Sequence, residues 1–381
     1  MMRIFFIAPA VAFALVASGA ALKPVPSILS PAAEAGRQAF RDARLSASGK
    51  MSCASCHAPE HAFAQPNGFA VQKGGPRSDR PGTRTVPSLL YQRFTPAFHF
   101  AAPGTAVGGF NRDGRATSLG DQAAIPLMSP FEMAAPSREF LRQRLARAPY
   151  AGALHDAFGA HVLDGADAAF RALTLALEAY QRESREFAPF ASKFDDYLSG
   201  HAALAPAEAR GLALFNDPAK GNCAACHLSA RGRDGTPPLF TDFGFHNLGV
   251  PRNMNLPSTK DPTRFDLGLC GPDRRDLAHR KDLCGAFKTP TLRNAATRQV
   301  FFHNGFASTL EAAIAFHVRR DTSPGEWYPA RQFDDMPAEL AFAVDTRFAH
   351  AGADGVPRLT AAEIADIATF IKALDDDPRP R

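Results

Sequence analysis

A length of 381 residues allows two domains, each with its own core. A make-up of 45% hydrophobic and 21% charged residues is that of a soluble globular chain and excludes a disordered one. The formal net charge of +5 comes without any lysine or arginine run, which excludes a nucleic-acid-binding footprint.

Met1-Met2-Arg3, the apolar stretch Ile4 to Ala17 and the small residues Ser18-Gly19-Ala20-Ala21 form a secretory signal peptide, assigned to 1–21. The apolar run falls short of the roughly 20 residues that a membrane-spanning helix needs. The mature protein is therefore expected in the periplasm, with no stable membrane insertion. Ser30-Pro31 starts a helix, with proline at its first position. Gly36-Arg37-Gln38-Ala39-Phe40 closes it and feeds a polar loop, and Gly211-Leu212-Ala213-Leu214-Phe215 repeats the pattern. Between them Phe170, Leu173, Leu177 and Tyr180 share one helical face. Ser199-Gly200-His201 marks a boundary region, dividing the chain into domains 22–195 and 196–381. Ser308-x-x-Glu311 and Thr360-x-x-Glu363 are capping boxes; Ile364, Ile367, Ile371 and Leu374 form an apolar stripe after the second. Strand-like alternation is scarce, and the 29 glycines and 31 prolines imply long loops, notably at 66–87 and 251–275. The predicted fold is mainly α: two cytochrome-c-like domains of helices and long loops, packed against each other.

Each repeated helix leads to a Cys-x-x-Cys-His motif, Cys53-Ala54-Ser55-Cys56-His57 and Cys223-Ala224-Ala225-Cys226-His227. Two cysteines at i and i+3 reach the two vinyl groups of one haem as thioethers, and the adjacent histidine projects under the porphyrin toward iron. A redox dithiol or half a zinc site explains Cys-x-x-Cys alone. It does not explain a histidine directly after it, twice, behind an export signal. Two covalently bound haem c groups are predicted, with His57 and His227 as proximal ligands. Of the six cysteines only Cys270 and Cys284 remain. An oxidising compartment lets them form a disulfide, and closing a loop of that size contributes roughly 3 kcal/mol.

The sixth coordination position separates an enzyme from an electron carrier, because a carrier fills it and a peroxidase leaves it open. His317 follows Leu310 and Ile314 on one helical face and is the candidate second ligand of the second haem. For the first haem no histidine or methionine is an obvious partner: His61 lies one turn after His57, His99 is unsupported, and Met128 and Met133 adjoin other features. An open first haem is the simpler reading.

At this point the sequence resembles the bacterial di-haem cytochrome c peroxidases and their MauG-like relatives. The resemblance is carried by Gly36 to His57, Asp113 to Met133, Gly211 to His227 and Phe287 to His317. It implies that the N-terminal haem is peroxidatic and that the C-terminal haem relays electrons. Asp113-Gly114-Arg115, Gln122 and Glu132-Met133 match a family segment, which implies that Gln122 and Glu132 line the peroxide side of the first haem. A carboxylate can shuttle the proton that peroxide cleavage moves, and an amide can orient the peroxide. The run Phe287 to Asn294 with Phe302-His303-Asn304-Gly305 resembles the family's second haem pocket, which implies a place for His303 near a propionate.

The chain also departs from that pattern. His317 stands where relatives carry methionine or tyrosine, and a His/His pair lowers a haem potential relative to His/Met. Arg112 stands in place of a tryptophan between the haems; the sole tryptophan is Trp327. The family's interdomain calcium has an asparagine ligand, and the nearest match here is Thr85, whose oxygen suits a hard cation. The loop Gly68 to Gly75 lacks the histidine that blocks the first haem in many relatives. The expected activity is reduction of hydrogen peroxide with electrons from a small periplasmic donor of cytochrome c or cupredoxin type. The alternatives are MauG-like oxidation of a residue on a partner protein and a non-catalytic electron carrier, which would need His99 or another ligand on the first haem. A homodimer is compatible with all three.

Overall fold

Ser30 opens the described chain's first helix by accepting a hydrogen bond from Ala33 N, with Pro31 at the first helical position. The computed structural model describes residues 28–346 and 358–377; the signal segment 1–21 lies outside them. Among the described residues the α-helices are α1 Pro31–Ala39, α2 Cys53–Cys56, α3 Leu119–Met128, α4 Arg138–Leu145, α5 Ala151–Phe158, α6 Ala166–Glu183, α7 Lys193–Leu198, α8 Pro206–Asn216, α9 Leu310–Arg319 and α10 Ala361–Lys372. The strands pair only as short antiparallel ribbons: β1 Lys73–Gly74 with β2 Arg80–Pro81, β3 His99–Ala101 with β4 Thr105–Val107, and β5 Phe245–His246 with β6 Phe287–Lys288. The mainly α, loop-rich class is the one expected.

Two hydrophobic cores form. In the first, α6 buries Phe170, Leu173, Leu177 and Tyr180, the face that periodicity selects, against α1, α3 and α4. Phe40, Phe63, Tyr180 and Phe187 close it with edge-on and tilted ring contacts. In the second, α8 packs on α10, and Phe194, Phe215, Phe240 and Phe370 repeat the aromatic arrangement. Each buried phenylalanine contributes about 1.5–3 kcal/mol of transfer free energy. Both helix pairs cross at a glycine. A methyl at Gly36 would sit 1.9 Å from the Ala176 carbonyl oxygen, and one at Gly211 would sit 2.1 Å from that of Asp366. The repeated glycine is thus the crossing point that aims each helix's end at its haem motif.

Two local expectations need correction. The cap of α9 is Thr309, whose hydroxyl accepts from Ala312 N, and not Ser308. The buried positions of that helix are Leu310, Ala313, Phe316 and Val318, whereas Ile314 and His317 are only partly buried. The C-terminal box is as expected, with Thr360 and Glu363 capping reciprocally and Ile364, Ile367, Ile371 and Leu374 buried.

The cores meet along a polar seam. Arg84 bridges Asp113 at 2.7 Å and Asp266 at 2.6 Å, and the Asp113 side chain is fully buried. Thr85 N donates to His303 O and Tyr91 Oη to Asp376. The β3–β4 hairpin leans across, with Phe98 against Phe245 and the Arg274 guanidinium over the Phe98 ring. Cys270 and Cys284 are joined by a disulfide that staples the loop beside this seam.

Candidate active site

Each Cys-x-x-Cys-His sequence is set at the end of its crossing helix. Ala54 N donates to Phe40 O in the first domain, and Gly221 N to Leu214 O in the second. His57 N donates to Cys53 O and His227 N to Cys223 O, so both histidines end a tight turn. Their Nδ1 atoms lie 3.2 Å from Phe63 O and 2.9 Å from Phe240 O. Donation from Nδ1–H to a carbonyl leaves Nε2 with its lone pair, the form a metal ligand requires. Burial pushes His57 down to about 4 and also lowers His227, so both rings are neutral. Burial raises the thiols instead, Cys53 to about 12, Cys56 to about 11 and Cys223 to about 12. A redox dithiol needs a depressed thiol pKa, which Cys53, Cys56 and Cys223 do not have.

On the far side of the second motif stands His317 of α9. Its Nδ1 lies 2.8 Å from Ala313 O, Phe302 stacks at 5.6 Å, and burial lowers its pKa to about 4, with the nearby His227 adding to the effect. His99 is exposed on β3, Met133 is buried in the first core, and Met128 packs against it. The carrier reading loses its best candidate ligand in His99.

Glu132 stands by the first motif, close enough that its charge raises the pKa of both Cys53 and Cys56. Its carboxyl is reached by solvent yet enclosed by protein. That desolvation raises its own pKa, against a hydrogen bond with Ser129 and the charge of Arg115. The residue is held from behind by the Gly74-Gly75 pair: Gly75 N donates to Glu132 O at 2.7 Å, and a side chain at Gly74 would strike the Phe131 carbonyl at 2.2 Å. Gln122 lies half-buried on α3, and its amide makes no hydrogen bond among the described residues. Asp113 and Arg115 of the Asp-Gly-Arg segment belong to the seam, where Asp113 accepts from Arg84 and Arg115.

The seam collects cations next to both motifs. Burial lowers Arg112 to about 9, with Arg298 and Arg84 adding to it, and lowers Arg298 to about 10 and Lys288 to about 7. None of the three forms an ion pair with a carboxylate among the described residues. His303 stacks on Phe287 at 3.8 Å, its Nε2 is buried without a hydrogen-bond partner, and burial lowers it to about 3. Unneutralised cations and an orphaned ring nitrogen suit the carboxylates of haem, so the residues present fit two such groups. Thr85 does not present a free oxygen: its hydroxyl donates to Phe302 O and accepts from Arg112, whose guanidinium also donates to Thr85 O.

Sequence reasoning missed one cluster. His246 lies between Asp242 at 3.2 Å and Asp345 at 3.1 Å, and these carboxylates, against burial, hold its pKa up at about 11. Its ring atoms, Asp242 and Cys226 Sγ lie within 4.8 Å of one another, which puts an imidazolium beside the second attachment site. Asp242 lies four residues before it, but Asp345 is 99 residues away, so the cluster is closed only by the fold.

Two helical cores, each leading into a Cys-x-x-Cys-His turn, define a di-haem c-type protein. A family model described as di-haem cytochrome c peroxidase matches residues 30–203. The chain is 37% identical over 325 residues to the methylamine utilization protein MauG of Paracoccus denitrificans, covering 83% of this chain and 81% of that protein. It is 30% identical over 285 residues to the cytochrome c551 peroxidase of Nitrosomonas europaea, covering 74% and 71%. The crystal structure of the diheme peroxidase BthA from Burkholderia thailandensis is similar at 38% identity and a TM-score of 0.83, covering 91% of this chain and 86% of that one. The chain belongs to the di-haem cytochrome c peroxidase and MauG family, and is an oxidoreductase of the peroxidase type. Among the described residues no helix is long and apolar enough to cross a membrane.

Proposed function

We propose that this protein reduces hydrogen peroxide in the periplasm at the site of His57, with electrons relayed through the site of His227 and His317 from a small cytochrome c or cupredoxin. The two domains 22–195 and 196–381 divide these tasks. One observation carries the reading: the two sites are unequal, a second imidazole facing His227 and a carboxyl facing the first motif. When bound, the haems supply the iron centres that exchange electrons with peroxide and with the donor. His57 and His227 would ligate them, Cys53, Cys56, Cys223 and Cys226 would attach them covalently, and His303 would stand near a propionate. Glu132 takes a proton from the near oxygen of peroxide and returns it to the departing oxygen, its raised pKa bringing the carboxyl closer to neutrality. The amide of Gln122, free of internal partners, orients the peroxide.

The 37% identity to MauG favours a second reading, oxidation of a residue on a partner protein by the same site. Electron paramagnetic resonance of the ferric di-haem protein tests the shared part. One high-spin species that changes on adding peroxide is expected, beside one low-spin species lost in His317→Ala. Two low-spin haems indifferent to peroxide would overturn the proposal. Rapid peroxide consumption with a reduced small donor, against a mass shift on a partner protein, separates the two readings.

A further inference from the structure

The seam gathers neutral oxygens in the manner of a hard-cation site. Thr85 O and Oγ1, Val86 O and Val300 O come from segments that are far apart in sequence, and Phe302 O lies against the Thr85 hydroxyl. A calcium ion takes six to eight such ligands, usually with carboxylates among them. Here every one of the first four accepts from a guanidinium instead. Arg112 Nε donates to Thr85 O at 3.0 Å and its Nη2 to Thr85 Oγ1; Arg298 donates to Val86 O at 3.0 Å and to Val300 O at 3.3 Å. The carboxylates nearest to them, Asp113 and Asp266, are already bound by Arg84. A divalent ion at Thr85 would meet two positive side chains, with the anionic ligands committed elsewhere.

We propose that Arg112 and Arg298 take the place of a metal ion at the domain seam, so that the protein supplies its own cations where its relatives' pattern calls for calcium. The geometry assigns each arginine a bridging task. Arg298, from the second half of the chain, reaches Val86 in the first, and Arg112 ties Thr85 from a second direction while Thr85 itself bonds Phe302. A planar guanidinium with several fixed donors does this where a lysine could not. The residues therefore do not fit a calcium ion, and no step of the reaction is assigned to one.

The test uses the di-haem protein. Calcium content is measured by elemental analysis, and the thermal midpoint and resistance to limited proteolysis between the two halves are measured with a chelator and with added calcium. The wild type is expected to carry less than a stoichiometric amount of calcium and to show the same midpoint and cleavage rate in both conditions. Arg112→Gln and Arg298→Gln are expected to lower the midpoint and to speed cleavage several-fold. One calcium per chain whose removal lowers the wild-type midpoint would overturn the proposal, and so would variants as stable and resistant as the wild type. The chelator comparison needs no variant, so it decides the question even if a substituted chain does not fold.

Discussion

The carboxyl of Glu132 owes its chemistry to the residues behind it. Gly74 and Gly75 let the chain press against the Phe131–Glu132 backbone and fix its place, while desolvation of the carboxyl, opposed by Ser129 and Arg115, raises the pKa. The proton-accepting form is the carboxylate, which is lost as pH falls through that pKa. The acid limb of peroxide turnover is therefore expected above the ordinary carboxylate range. Glu132→Gln should slow turnover by about 10²–10⁴-fold and remove that limb; a pH–rate profile of both proteins checks it, and an unchanged limb would assign the proton to another group. At this scale the sequence tells much about attachment, because Cys53, Cys56 and His57 act within one turn of chain. It tells little about support, since Gly75 and Glu132 meet only through the fold. His246 is half such a case: Asp242 stands four residues before it, but Asp345 is 99 residues away and meets it only through the fold.

Helix crossings repeat the lesson one level up. The recurrence of a glycine four residues before a phenylalanine, at Gly36 and Gly211, is visible in the sequence, but its cause is not: the glycine lies under a carbonyl of α6 or α10. Adding a methyl there must part the helices or bend one of them. Gly36→Ala and Gly211→Ala should each destabilise the protein by about 1–3 kcal/mol, the usual cost of overpacking. The first should act through the core of α1 and α6 and the second through that of α8 and α10; thermal or denaturant unfolding of the two variants measures the loss. Periodicity correctly selected the buried faces of α6 and α10, because a long amphipathic helix has one way to face its core. It misjudged α9, which buries Leu310, Ala313, Phe316 and Val318, because a short helix enclosed on more than one side does not follow a single stripe. His317 stands at the margin of the buried positions and not at their centre.

Seen whole, the proposed function needs the two cores held at a fixed spacing, since electrons would pass from one motif to the other. The seam is polar, and its centre is Arg84, which sits between the fully buried Asp113 and Asp266 and presents its guanidinium to both. Against burial, which would raise it, this arginine holds the Asp266 pKa down. The matched Asp-Gly-Arg segment thus does structural work, with Asp113 receiving Arg84 and Arg115 while Arg274 bonds its carbonyl. Removing Arg84 leaves Asp113 to Arg115, but it strips Asp266 of its only charged hydrogen-bond donor among the described residues. A buried ion pair broken from one side typically costs about 3–5 kcal/mol. Arg84→Gln should therefore lower stability by that amount at neutral pH. The loss should shrink in acid, where Asp266 is protonated in the variant and the wild type loses the pair as pH falls through its depressed pKa. Unfolding curves at pH 7 and at a pH below the ordinary carboxylate value of 3.8 measure both effects; an equal loss at the two pH values would mean that Arg84 acts by packing alone and that the seam is not held by charge.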